Sequence, residues 1–184
     1  MPQDKFNALF RALDSAATLA GDRLVELAEN GPILLVFLRH AGCTFCREAL
    51  SDIARERRAI ERTGTRVVLV HMADSAAIEE QLANYGLRGV DRICDSEQTL
   101  YKAFGLKRGK LRQLFGPKVV WRGLKAGLME GHGVGRPSAD SSQMPGLFLL
   151  RNSTIIRRFR HRTAADRPDY AGICAELANL PGKP

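Results

Sequence analysis

The hydrophobic positions near the start of the chain recur at spacings of three and four residues, which is the pattern of an amphipathic helix. It predicts a helix over residues 4–29, with Phe6, Leu9 and Leu13 among its apolar positions. The next segment, ILLVFLR at 33–39, is apolar at almost every position and lacks the alternation of a half-buried strand. Such a run is typical of a strand that is covered on both faces, as in a parallel sheet.

Helical and extended patterns alternate through the middle of the chain. Helices are predicted at 44–63, 75–86 and 97–106, and strands at 65–72 and 91–95. Strands that alternate with helices in this way are typical of parallel β-α-β units.

The C-terminal part has a different pattern. The runs LFLL and TIIRRFRH are joined by RNS, which predicts a β-hairpin, and ADRPDYAGICAELANL predicts a last helix. The complete order predicts an α/β fold in which a central mixed β-sheet is flanked by helices. We interpret residues 1–184 as one domain with an N-terminal helical extension at 1–31.

An insertion at about 107–143 interrupts this alternation. It is rich in Lys and Arg and in glycine, contains the only tryptophan, Trp121, and has a helical pattern around VVWRGLKAGLM. A long loop inside a compact domain often has a function, so the insertion is either a lid or partner surface beside the active site or a solvated, charged elaboration.

Composition narrows the class of protein. The chain is 45% hydrophobic and 26% charged, as in ordinary folded proteins, and its longest apolar run is far shorter than the ~20 residues of a membrane helix. The start, MPQDKFNALF, does not resemble a secretory signal, and four cysteines do not make a disulfide scaffold, so we expect a cytoplasmic protein with reduced thiols. The net charge of +8 attracts anions without specificity, and few aromatic residues accompany it, so neither nucleic acid nor a membrane is expected as a partner.

The main chemical candidate is the pair Cys43 and Cys46 in RHAGCTFCREAL at 39–50. The pair lies just past the end of a predicted central strand, on the first turn of a predicted helix, which is where sites collect in open α/β sheets. Unpaired N–H groups and the helix dipole favour a thiolate at Cys43. Cα atoms at this spacing are about 5–6 Å apart, which allows a disulfide. One thiolate can therefore attack a substrate, and the other can resolve the mixed disulfide.

Positive side chains surround this pair in the sequence. Arg39, His40 and Arg47 are expected to lower the pKa of the attacking thiol further. Arg39 is the candidate cationic partner, although it could also be a solvated residue at a strand end.

Two other interpretations of the cysteine pair stay open. A structural zinc site needs two more ligands, but Cys94 and Cys174 do not form a second pair and the histidines are scattered. The two thiols could also lie close together without a role. Cys94 could be a second resolving thiol, but we expect both Cys94 and Cys174 to be buried, small apolar residues.

The segment LLVFLRHAGCTFCREAL resembles the active-site strand and helix of thioredoxin-like proteins. Further segments resemble the peroxiredoxin-like branch of the alkyl hydroperoxide reductase/thiol-specific antioxidant group, which includes relatives of selenoprotein L: RVVLVHM, AAIEEQLANYGL, ICDSEQTLYKAFGL, MPGLFLLRNSTIIRRFRH and ADRPDY. The resemblance covers roughly residues 30–180 and implies a thioredoxin-like fold.

The resemblance also implies roles for individual residues. Cys43 matches the nucleophilic or peroxidatic position, Cys46 the resolving position, and Pro145 a cis-proline that lies opposite the cysteines. It implies an oxidoreductase that acts on disulfides or hydroperoxides, needs no bound cofactor or metal, and is recycled by a thiol system of the thioredoxin or glutathione type. A homodimer stays open.

The chain departs from a typical peroxiredoxin before the nucleophile. Val36 and His40 stand where that family has a proline and a threonine that order the peroxide. His40 could donate a hydrogen bond instead, and Thr44 beside Cys43 is a further candidate for support of the site. Peroxide reduction and thiol exchange therefore both stay open, and the alternative is a non-catalytic thioredoxin-fold binding or scaffold protein that uses the basic insertion for a partner.

Overall fold

The computed structural model describes residues 3–39, 43–72, 75–110, 113–114, 116–125 and 142–179. The helices are α1 (Gln3–Ser15), α2 (Leu24–Asn30), α3 (Thr44–Arg62), α4 (Ser75–Asn84), α5 (Thr99–Ala103), α6 (Pro117–Leu124) and α7 (Tyr170–Ala175), with a 3₁₀ turn at Glu176–Asn179. The strands are β1 (Ile33–Phe37), β2 (Arg66–His71), β3 (Asp91–Cys94), β4 (Gly146–Arg151) and β5 (Thr154–Arg160).

The five strands form one mixed sheet in the order β3-β2-β1-β4-β5. β1 pairs in parallel with β2, and β2 in parallel with β3, whereas β4 is antiparallel to both β1 and β5. The hairpin turn has Asn152 and Ser153 at positive φ values of 47° and 57°. The predicted α/β fold with a central mixed sheet and a C-terminal hairpin is confirmed.

The sheet separates two layers of hydrophobic core. Ile33, Leu35 and Phe37 of β1 face one cluster, which includes side chains of α1, α2 and α5. Leu34 and Val36 face the other cluster, which includes side chains of α3, α4 and α7. Every residue of β1 is buried, which explains why its sequence shows no alternation.

The single helix predicted over 4–29 is wrong, because the chain breaks between α1 and α2. Gly21 has a φ of +96°, which favours glycine, and Ala17 forms an isolated β-bridge with Arg23. The Thr18 hydroxyl accepts a hydrogen bond from the Asp22 N–H at 3.1 Å and supports the turn. The break lets α2 pack its own buried face against the sheet independently of α1.

The sequence predicts that Cys94 and Cys174 are both buried. This prediction is confirmed for Cys174 and is wrong for Cys94. Cys174 is buried in α7, whereas Cys94 is exposed. Cys94 ends β3, an edge strand, and since successive side chains of a strand alternate, its neighbour Ile93 takes the core position.

None of the helices in the described ranges has both the length and the apolar character that crossing a membrane requires.

Candidate active site

The cysteine pair lies where β1 ends and α3 begins. Cys43 is the N-cap residue of α3, with an extended backbone, and Cys46 lies in the first turn. The Cys43 carbonyl accepts hydrogen bonds from the N–H groups of Cys46 at 3.0 Å and Arg47 at 3.1 Å. Both thiols are buried, with exposed fractions of 6% for Cys43 and 4% for Cys46, and no disulfide bond joins them in this structure. The start of a helix is where unpaired N–H groups favour a thiolate.

Arg39 contacts both sulfur atoms. Its backbone N–H donates to the Cys46 Sγ at 3.2 Å, and its Nη1 donates to the Cys43 Sγ at 3.4 Å. The Arg39 side chain is buried, so its charge is weakly screened at this distance. The structure therefore places Arg39 as a cation beside the sulfurs and not as a solvated residue.

Gln143 orients Arg39 and was missed by the sequence analysis. Its carbonyl accepts a hydrogen bond from Arg39 Nε at 3.2 Å. Its buried Nε2 lies within hydrogen-bond distance of the carbonyls of Leu106, Lys107 and Met144. These contacts hold the C-terminal end of the insertion, where Gln143 forms an isolated β-bridge with Arg108, against the site. Its only signal in the sequence is its position two residues before Pro145.

The surroundings of the Cys43 thiol lower its pKa from the ordinary value of 9.0 to about 6. The largest cause is a hydrogen bond with the Cys46 thiol. Burial raises the pKa, while the Arg39 cation and the N–H groups of Cys46 and Phe45 lower it. Cys43 is therefore mostly a thiolate at pH 7, and the thiolate is the nucleophilic form.

The sequence also named Thr44, Pro145 and His40 as supporting residues of the site. Thr44 is the first residue of α3 and is buried. Pro145 lines a cavity that Cys46 also lines. The cis bond implied for Pro145 is not found: no described peptide bond is cis, so the Met144–Pro145 bond is trans, the isomer that an X–Pro bond prefers without a contact that selects cis. His40 lies outside the described residues.

Two carboxylates of α3 are buried close to the site. Glu48 is ion-paired with Arg122 of α6 at 2.6 Å, and Asp52 forms a two-bond pair with Arg167. Arg55 also pairs with Asp52, at 2.8 Å. The spacing of Glu48 and Asp52 puts them on one helix face, but the sequence does not predict partners 74 and 115 residues away.

One of these ion pairs joins the basic insertion to α3. Through Arg122, helix α6 is attached to the helix that carries the cysteines. Gly123 of α6 also lies against Phe45, since a Cβ at Gly123 would be 3.6 Å from the Phe45 Cζ. The described helix of the insertion therefore lies beside the candidate site, and the rest of the insertion lies outside the described residues.

Within the described ranges, no group of three or more His, Cys, Asp or Glu side chains is placed to hold a metal ion.

Comparison with known proteins gives the family. A family model described as the AhpC/TSA family matches residues 12–158, which is most of the chain. This chain belongs to the AhpC/TSA family. Among curated proteins, no sequence match was found.

Solved structures share the fold of this AhpC/TSA protein at low sequence identity. The bacterioferritin comigratory protein of Xanthomonas campestris superposes with a TM-score of 0.63 at 13% identity, covering 92% of this chain and 94% of that one. Peroxidoxin BcpB of Mycobacterium tuberculosis gives 0.61 at 14% identity, covering 91% and 92%. A secreted disulfide oxidoreductase of the same bacterium gives 0.56 at 16% identity, covering 92% and 98%.

Family and fold together confirm the resemblance seen in the sequence. The protein is a thioredoxin-like, peroxiredoxin-related oxidoreductase. The AhpC/TSA match spans both cysteines of the pair and Pro145.

Replacing Arg39 with methionine is expected to raise the pKa of Cys43, because the substitution removes the cation beside its sulfur. An opposite charge at this distance commonly shifts a pKa by 1–3 units. A rise of about one unit would lower the thiolate fraction near pH 6 about fivefold. The measurement is the rate of iodoacetamide alkylation of Cys43 against pH, with fragmentation of the peptide that contains both cysteines to separate Cys43 from Cys46.

Two variants control this measurement. Arg39→Lys keeps a cation and should keep most of the shift. Arg58→Met removes an equal charge from an exposed position of α3 and should leave the midpoint near 6. A midpoint that does not move in Arg39→Met would show that the Arg39 charge does not stabilise the thiolate.

Proposed function

We propose that Cys43 and Cys46 form the redox-active dithiol of a thiol-disulfide oxidoreductase with peroxiredoxin-like activity. Cys43 is the nucleophile and Cys46 the resolving thiol. The observation that carries this assignment is the position of the Cys43 thiol at the start of α3, within hydrogen-bond distance of the Arg39 guanidinium and with a pKa of about 6. Cys46, one turn further along, donates to the Cys43 sulfur and is the nearest group that could attack it afterwards.

The same pair can reduce two classes of substrate. With a hydroperoxide, the Cys43 thiolate attacks the terminal oxygen, the O–O bond breaks, and the alcohol leaves after it gains a proton, which makes Cys43 a sulfenic acid. Cys46 attacks the Cys43 sulfur, water leaves and a disulfide forms. With a disulfide, Cys43 attack releases one thiolate, and Cys46 attack on the mixed disulfide releases the second.

An outside dithiol or glutathione must return the Cys43–Cys46 disulfide to the reduced pair. We propose a thioredoxin or glutathione type of reductant in the cytoplasm, where such systems keep thiols reduced.

The test is the mass of the peptide 40–47 after reduced protein is treated with a stoichiometric hydroperoxide or with oxidised glutathione. The expected product has lost two hydrogen atoms, and thioredoxin or glutathione restores the reduced mass. Continuous turnover with each recycling system then ranks peroxides against disulfides. A pair that stays reduced with both oxidants would contradict the proposal and favour the non-catalytic scaffold.

A further inference from the structure

A small cavity adjoins the resolving thiol. Its volume is about 20 Å³, and it lies between the first turns of α3, the start of β4 and the loop at 161–168. The residues that line it include Cys46, Pro145 and His161, which follows β5 directly. A volume of this size holds about one water molecule where polar partners are present.

His161, one of the lining residues, carries a buried polar atom without a partner in the part of the chain that the structure describes. Its Nδ1 is buried and has no hydrogen-bond partner among the described residues. The ring packs edge-on against Phe159, with centroids 5.1 Å apart. A buried polar atom without a partner costs free energy, so a neutral imidazole here is suited to a water or a proton donor in the cavity.

Burial lowers the pKa of His161 to about 4, so the ring is neutral at physiological pH. The Asp166 carboxylate and the carbonyls of Pro145 and Asp166 act in the opposite direction, and the Arg39 cation lowers the pKa further. A neutral imidazole has one lone pair that can accept a proton.

Glu48, Asp52, Asp166 and Tyr170 also line the cavity, but each is less suited than His161 to accept a proton. Glu48 and Asp52 are ion-paired, and Asp166 accepts hydrogen bonds from the N–H groups of Arg162 and Thr163. Burial raises the pKa of Tyr170, so its phenol stays protonated.

We propose that His161 accepts the proton of Cys46, through one water molecule in this cavity, when Cys46 attacks the Cys43 sulfur. The inference rests on the proposed function, which supplies the reaction. The Cys46 S–H bond breaks and its proton passes to the imidazole. The Cys46 sulfur bonds to the Cys43 sulfur, and the bond from Cys43 to the substrate breaks with its electron pair on the leaving group. The imidazolium then returns the proton to the departing group or to solvent.

A chromogenic aromatic disulfide tests this step separately from the first one. Attack by Cys43 releases one coloured thiolate, and attack by Cys46 releases the second, so stopped-flow absorbance resolves two phases. All proteins carry Cys94→Ser, because Cys94 is exposed and would also react. The variant is His161→Gln, and Arg158→Gln is the control at an exposed position of β5.

In His161→Gln the first phase should be unchanged and the second slowed by roughly 10-fold near neutral pH. This is less than the 10²–10⁴-fold typical of general bases, because a base with a pKa of about 4 is weaker than one whose pKa lies near the working pH. The pH profile separates a proton acceptor from a structural role. Without an internal base, Cys46 must ionise to solvent before it attacks, so the second phase of the variant should rise about tenfold per pH unit below the Cys46 pKa. The unsubstituted protein should be nearly independent of pH over the same range.

Each outcome has one meaning. A second phase with the same pH profile in both proteins overturns the role of His161, even if the variant is slower throughout. A missing first phase in the unsubstituted protein would instead contradict the assignment of Cys43 as the nucleophile. An unchanged first phase in His161→Gln also shows that the variant is folded.

Discussion

Replacing Cys43 with serine is expected to abolish turnover of both hydroperoxides and disulfides, by at least about 1,000-fold. The serine hydroxyl cannot ionise near pH 7, so the anion that is stabilised at the start of α3 is lost. The measurement is consumption of hydroperoxide or oxidised glutathione with thioredoxin or glutathione as recycling system. Retention of more than a few per cent of the turnover in Cys43→Ser would exclude Cys43 as the nucleophile.

Two further variants make this result specific. Cys46→Ser should still release the first leaving group but accumulate a mixed disulfide on Cys43 with oxidised glutathione and a sulfenic acid with a hydroperoxide, both of which mass spectrometry detects. Cys94→Ser removes an exposed thiol outside the site and should keep full turnover. If Cys46→Ser turned over normally with a small thiol present, the reductant itself would resolve Cys43, and Cys46 would not be needed.

Phe148→Ala is expected to lower the free energy of unfolding by about 3–5 kcal/mol. Phe148 is fully buried in the middle of β4, with its ring centroid 4.7 Å from that of Phe104 and 5.6 Å from that of Phe37. The Arg160 guanidinium also lies over its ring at 5.7 Å. The substitution removes these contacts and leaves a cavity between β4 and α5 that the packed sheet cannot easily close.

Urea unfolding followed by circular dichroism measures this loss. The fluorescence of the single tryptophan is a poor probe, since Trp121 is 74% exposed. Trp121→Ala is the matched control, and we expect it to change stability by less than about 0.5 kcal/mol. A loss below about 1 kcal/mol in Phe148→Ala would show that the aromatic cluster is not a main support of the core beneath β4.

The local sequence predicts most of the fold, because hydrophobic spacing records which faces of an element are buried. The unbroken apolar run at 33–38 identifies the central strand, and the RNS turn identifies the hairpin. The same reasoning is wrong for the N-terminal region, where a helical pattern continues across Gly21. The pattern is present on both sides of the break, and it does not show that the turn at Thr18–Gly21 divides it into two helices.

The cysteine pair and its position were visible in the sequence, since both depend on residues close together in the chain. The sequence also offered Arg39 as the cationic partner, but it did not show which distant residues position Arg39 and line the site. Arg39 meets the Gln143 carbonyl across 104 residues, and Asp52 meets Arg167 across 115. His161 follows an outer strand, and its place in the lining of the cavity that Cys46 also lines depends on how β5, α3 and the loop at 161–168 pack.

The sequence by itself therefore determined that this chain places a dithiol between a buried strand and a helix in a mixed α/β sheet. Local periodicity and turn chemistry are sufficient for that, because they act over a few residues. Only the tertiary structure decided which cation contacts the Cys43 sulfur, which peptide isomer precedes β4, and which base shares a cavity with Cys46. These contacts join segments far apart in the chain, and their geometry follows from packing that no single segment specifies.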